Sequence, residues 1–265
     1  MKIIIGLLLV YSTIFANVYY AKVEPYELRE ISSNVSGLVT YTNENLIGSK
    51  LNKKAYIKID AILDKKELSY IEEKLKYMQE TLNSNKVILI NLEKLLNKKR
   101  KNYENVSALK FKSKVEKDKE FYNLITSENL YLNTQKEIQN LKIQIVDIKL
   151  RKAQLQRSIS DKNLVADGFI LYDIYVKSGK VVGVSTLLAK IADVSKAKLT
   201  IYLDEIDMLN SKNKIIYIDG KKTSYKISRI LNIADSKNIS KYMAQIIIKS
   251  PKLFSKLVKV ELKDE

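Results

Sequence analysis

The spacing of apolar residues changes period twice along the chain, near residue 64 and near residue 161. Between those points Leu68, Leu75, Leu82, Leu89, Leu96 and Tyr103 recur seven apart. Ile71, Met78, Asn85, Leu92, Lys99 and Val106 stand three residues after each of them. This is the a/d seam of a coiled coil. A second seam follows, with Leu124, Tyr131, Ile138, Ile145 and Ile159 at one position and Leu141, Ile148 and Leu155 at the other. Two heptad runs joined by a short polar stretch predict an antiparallel helical hairpin over residues 64–160, with its tip at about 104–117. No Gly or Pro occurs between Ser49 and Asp167, which suits long unbroken helices. Each arm would reach roughly 70 Å, at 1.5 Å per residue.

The seam is apolar at its base and mixed toward the tip, where Lys99, Lys117, Glu120, Ser127 and Thr134 fall on core positions. Two readings fit. A register stutter would recruit Phe121, Tyr122 and Ile125 instead, or the hairpin end would complete its packing on another protein.

The segments flanking the hairpin resemble one another at a fixed offset. Val35-Ser36-Gly37-Leu38-Val39 with Gly48 corresponds to Ala166-Asp167-Gly168-Phe169-Ile170 with Gly179. Leu51, Tyr56 and Ile57 then correspond to Val182, Leu187 and Leu188. Gly37, Gly48, Gly168 and Gly179 are expected in tight turns between short strands, where a positive φ disfavours other residues. Ile170, Tyr172, Ile174 and Val176 alternate as a half-buried strand does. Each half is too small to bury a core alone, so the two are expected to pair, with the hairpin inserted between them. Residues 196–265 alternate over Lys214–Ile218, Tyr225–Ile230 and Met243–Ile248, with Asp219-Gly220-Lys221 as a turn. They read as a small antiparallel barrel.

Composition removes most enzyme chemistry. The 265 residues include no His, Cys or Trp. That leaves no thiol nucleophile, no Ser-His relay, no disulfide and no thiolate or imidazole metal site. Asp204, Glu205 and Asp207 form an acidic cluster at a strand end, with no His partner to suggest a metal or acid-base role. No cofactor is expected. The net charge of +17 would suit a nucleic-acid binder, a protein near anionic lipid, or a chain that solvates its surface chiefly with Lys. The first residues decide against nucleic acid: Ile3–Val10 is an apolar run behind Lys2, and residues 1–16 read as a secretory signal ending at Ala16. The segment is either cleaved there or kept as an anchor. Export makes nucleic acid an unsuitable partner.

The ordered set of signal, half-motif, heptads, half-motif and the strand Leu199-Thr200-Ile201-Tyr202-Leu203-Asp204-Glu205-Ile206-Asp207 resembles the periplasmic adaptor subunits of tripartite efflux and secretion systems. These are the membrane fusion proteins of the HlyD and RND-adaptor type. The resemblance implies an α+β fold in which a lipoyl-like β domain is split by a coiled-coil hairpin and followed by a small β-barrel domain. The implied boundaries are an N-terminal strand at 17–31, lipoyl-like halves at 32–63 and 161–195, and the barrel at 196–265. It further implies a non-enzymatic protein of the periplasm, associated with the inner membrane. Such a protein links an RND or ABC transporter to a TolC-type outer-membrane channel for export of drugs or other substrates, and self-associates as a hexameric ring. Aligned on Tyr103 and Ser113-Lys114, the tip resembles the family's channel-docking turn, implying contact sites at Asn102, Val106, Leu109, Ser113 and Lys114. Asn102 stands where the family has Arg, and Val106 where it has Leu.

Two other classes compete with this reading. A lipoyl or biotinyl carrier needs a modifiable Lys at the turn between its β halves, and the hairpin replaces that turn. An exported structural coiled coil or adhesin would account for the heptads, but not for a β unit split around them.

Overall fold

The computed structural model describes residues 17–234 and 241–263; the signal segment expected at 1–16 lies outside them. In chain order the elements are β1 (Asn17–Ser32), β2 (Gly37–Thr42), β3 (Ile57–Ile59), α1 (Ile62–Ala108), α2 (Lys114–Asp161) and β4 (Asn163–Leu164). They continue as β5 (Ile170–Ile174), β6 (Val181–Val182), β7 (Leu187–Leu203), α3 (Glu205–Asn210), β8 (Ile215–Ile218) and β9 (Lys221–Lys222). The last three are β10 (Ile227–Ala234), β11 (Tyr242–Lys249) and β12 (Leu257–Lys263). The chain is mixed α and β, with antiparallel strand pairing and two long helices. It divides into two units, one of residues up to Ile57 and from Val165 onward, the other Lys58–Leu164.

The second unit is the helical hairpin. Helix α1 runs 47 residues and α2 runs 48, with no glycine or proline to interrupt either. Ile71, Leu82, Asn85 and Leu96 of α1 are buried, as are Ser127, Ile138, Ile145 and Leu155 of α2. All lie on the a and d positions. The register runs through to the tip without a stutter: Lys117, Glu120 and Thr134 are half-buried in the seam, while Phe121, Tyr122 and Ile125 are exposed. A strict repeat on α1 leaves the partner helix no room to slip. Leu82, Ile138 and Ile145 form the central cluster, packed by Leu75, Met78, Leu89 and Leu141. At the base Arg151 pairs with Glu67 at 2.6 Å, Lys152 with Glu72 at 2.9 Å and Lys162 with Asp64. The first two are exposed and add little energy, the third is half-buried, and all three favour one register. The Ile59 N–H donates to the Lys162 carbonyl at 2.8 Å, so the chain leaves the hairpin beside the point where it entered.

The first unit is built from strands. One sheet of eight runs in the order β10-β11-β7-β1-β12-β8-β9, with β5 pairing to β7 off that path. Strand β1 joins two partners end to end. Asn17–Lys22 pair with β12, and Val23–Ser32 pair with β7. Within the pairing with β7 the register shifts between Pro25 and Glu27, as expected where a residue without an N–H interrupts a ladder. Strand β7 is 17 residues long and continuous. The boundaries expected at 31/32 and 195/196 fall inside the continuous strands β1 and β7. The core comprises Tyr19, Ala21 and Val23 of β1, Leu199, Ile201 and Leu203 of β7, Ile246 of β11 and Val260 of β12. Asp219 and Gly220, both at positive φ, turn β8 into β9.

The two repeat halves pair with each other reciprocally. Gly37 lies opposite Val182 and Leu38 opposite Val181. The Gly168 N–H donates to the Leu51 carbonyl at 3.1 Å, and the Leu51 N–H to Phe169 at 2.7 Å. Since Leu51 and Val182 are equivalent, as are Gly37 and Gly168, each half presents its glycine to the same place on the other. Val39, Leu51, Leu171, Val182 and Leu188 are buried around this pairing.

Asn85 differs from the other polar residue buried in the seam: Ser127 bonds the Asn123 carbonyl at 2.9 Å, whereas the Nδ2 of Asn85 is buried without a hydrogen-bond partner. Leu82→Ala or Ile145→Ala should lower hairpin stability by about 2–5 kcal/mol, whereas Asn85→Leu should raise it by about 1–3 kcal/mol, the cost of the orphaned amide. Denaturant titration followed by helical circular dichroism measures both; a lower midpoint for Asn85→Leu would contradict the seam assignment.

Candidate functional site: the hairpin tip

The tip is a tight turn. Helix α1 ends at Ala108, and the Leu109 N–H donates to the Val106 carbonyl at 3.3 Å. Helix α2 starts at Lys114 behind Ser113, whose hydroxyl accepts from the Glu116 N–H at 3.3 Å. The Glu116 carboxylate in turn accepts from the Ser113 N–H at 3.1 Å and from its hydroxyl at 3.0 Å. This reciprocal cap satisfies donors that a helix start leaves free. The Lys112 ammonium, 2.9 Å from Glu116, and the two Ser113 donors hold that carboxyl down at about 2. Across the turn Lys117 Nζ donates to the Ser107 carbonyl at 3.0 Å. The rings of Tyr103 and Phe121 lie 5.7 Å apart, tilted by 54°.

The five expected contact residues take different places in this arrangement. Asn102, Leu109 and Lys114 are exposed, Val106 is half-buried, and Ser113 is exposed yet committed to the cap. The spacing of Ser113 and Glu116 is itself a helix-start signature, so the capping role was readable from the sequence although it was not assigned there. The glycines stand apart from the tip, in the β unit. Gly48, Gly168 and Gly179 have φ of 79°, 88° and 91°, while Gly37 opens β2 at 159°, close to extended. At Gly168 a Cβ would meet nothing within 4 Å, so the left-handed backbone alone is what favours glycine there.

The acidic cluster has a structural part that its sequence did not reveal. Asp207 on α3 is buried; it accepts from Asn17 Nδ2 at 2.7 Å, from the Tyr19 hydroxyl and from Lys214 Nζ at 3.1 Å. Burial alone would push this carboxyl up, but those three donors outweigh it and hold it below the usual carboxylate range. The Tyr19 hydroxyl is pushed well above its ordinary value by burial and by Asp207. Among the described residues no group of three or more His, Cys, Asp or Glu side chains is placed to hold a metal ion.

No family model and no curated protein sequence matches the chain. Solved structures do. Residues covering 93% of the chain superpose on 78% of MacA from Actinobacillus actinomycetemcomitans, with a TM-score of 0.58 and 16% identity. A putative efflux transporter from Bacteroides eggerthii gives 0.53 at 12% identity, over 95% of this chain and 69% of that one. The membrane fusion protein Spr0693 from Streptococcus pneumoniae gives 0.51 at 12% identity, over 94% and 99%. The chain has the membrane fusion protein fold.

Asp207→Asn should cost about 3 kcal/mol, because it leaves the Lys214 ammonium, itself largely buried, without this carboxylate. The folded-state value of Asp207 lies below the unfolded one, so its stabilisation is present above about pH 4 and fades as the pH falls further. Thermal melts against pH should show the wild type and Asp207→Asn converging on acidification. A gap that stays constant down to the acid limit would show that the charge of Asp207 contributes nothing.

Proposed function

We propose that the chain is a periplasmic adaptor, a non-enzymatic scaffold without cofactor that joins an inner-membrane RND or ABC transporter to a TolC-type outer-membrane channel. The observation that carries this reading is the insertion of a hairpin of two helices, 47 and 48 residues long, between two halves of a mutually pairing β repeat. The same fold spans nearly the whole chain in a putative efflux transporter and a membrane fusion protein. On this reading the paired halves, 32–63 and 161–195, are the lipoyl-like domain, and the strands of 196–265 with 17–31 belong to the barrel. The hairpin supplies the reach to a channel. The adaptor packs side by side with its own copies, as a hexameric ring at the inner membrane, and exports drugs or other substrates with energy supplied by the transporter. A purely structural coiled coil would need the seam of α1 and α2 but not the reciprocal pairing around Gly37 and Gly168.

Docking by the tip is tested at the exposed expected contacts. Ser113 should be left in place, since replacing it also removes a helix cap worth about 1 kcal/mol. Asn102→Glu and Lys114→Glu should each abolish cross-linking of the tip to a TolC-type channel in intact envelopes, together with export. Their melting behaviour should stay within about 0.5 kcal/mol of wild type, as at other exposed sites. Normal cross-linking and export in both variants would remove Asn102 and Lys114 from the contact surface.

A further inference from the structure

The turn itself presents chemistry that neither the cap nor the seam uses. Leu109, Phe111 and Val115 project from the end of the hairpin, with Phe111 79% exposed and Val115 77% exposed. Lys110, Lys112 and Lys114 interleave with them, and nine basic residues against three acidic ones lie between Lys98 and Lys119. A turn selected only for solubility has no use for an exposed Phe flanked by aliphatic residues. Several polar groups of the turn are committed within the hairpin: Ser113 and Glu116 to each other, Lys112 to Glu116, and Lys117 to Ser107. Lys110 and Lys114 form no ion pair among the described residues. Beside them stand apolar side chains that can insert and positive charge that can neutralise. That combination suits a surface that is itself apolar beneath and anionic above.

We propose that the hairpin tip inserts Phe111 and Val115 into the interface of an anionic lipid bilayer, with Lys110 and Lys114 on the headgroups. The contact is independent of any channel. Aromatic and aliphatic side chains enter the boundary between headgroup and acyl chain, and lysines at the same level hold them against lipid phosphates while their own stems lie along apolar surface. The net charge makes the attraction dependent on ionic strength and on anionic lipid. An acidic protein surface is the competing occupant; it would match the lysines but give Phe111 and Val115 no acyl layer to enter.

The chain has no Trp, so Phe111→Trp places a single reporter at the tip and Tyr77→Trp a control reporter on the flank of α1. The full chain carrying each is mixed with vesicles of phosphatidylcholine alone, or of phosphatidylcholine with one-third phosphatidylglycerol. The expected result is a blue shift and quenching by brominated lipid for Phe111→Trp with the anionic vesicles only, reversed by salt, and no change for Tyr77→Trp. Adding Lys110→Glu and Val115→Ser to the Phe111→Trp chain should weaken that response about tenfold or more. No shift at position 111 overturns the proposal, as does an equal shift at position 77. Insertion unaffected by Lys110→Glu and Val115→Ser overturns it too. So does a tip reporter that ignores vesicles but responds to an acidic envelope protein. Because the vesicles contain no channel, failure here leaves the docking reading untouched, and failure of docking leaves this one standing.

Discussion

The reciprocal pairing in the strand unit depends on two segments, residues 37–51 and 168–182, finding each other across more than a hundred intervening residues. Closing a flexible loop of that length costs roughly 4 kcal/mol in chain entropy. The hairpin removes most of that cost. Its seam returns the chain to its starting point, with Ile59 bonded to Lys162 and Asp64 paired with the same residue. The backbone bonds between Gly168 and Leu51, and the pairing of Gly37 with Val182, then form between segments already brought together. The length of the hairpin and closure of the β unit thus draw on one packing seam. A cavity at Leu82 or Ile145 would weaken both.

The hairpin was legible in the sequence because a strict seven-residue repeat has one physical solution, and Leu82, Leu96, Ile138 and Ile145 are buried where that repeat puts them. Its polar core positions were not decidable from the pattern. Phe121 and Ile125 are larger and more apolar than Ser127, yet α1 fixes the register and leaves them outside. The repeat of glycine motifs was legible as well, but not the backbone of each member: Gly37 is nearly extended because it opens a strand. Helix α3 escaped notice, being a single short turn, and so did β12, whose partners are β1 at the far end of the chain and β8.

The candidate site was less legible than the fold. The turn between α1 and α2 falls within the stretch 104–117, and the hydroxyl of Ser113, expected as a contact, is bound into the start of α2. Asp207 looked like one of three equivalent acids. Only folding brings Asn17, Tyr19 and Lys214 around it and turns a surface charge into a buried, fully engaged one. Sequence distance hides such a group, since its partners come from the first strand and from the residue just before β8.

Strand β1 also bears on how the molecule carries load. It begins at Asn17, is flanked by antiparallel partners along its 16 residues, and is pinned at its start by Asp207. A pull along the chain at that end acts parallel to the strand and across its hydrogen bonds, which run perpendicular to it. The bonds to β12 and β7 are then strained in shear, many at once, instead of being peeled open singly. A tension applied at the N-terminal side would meet a mechanical clamp before it reached the rest of the sheet.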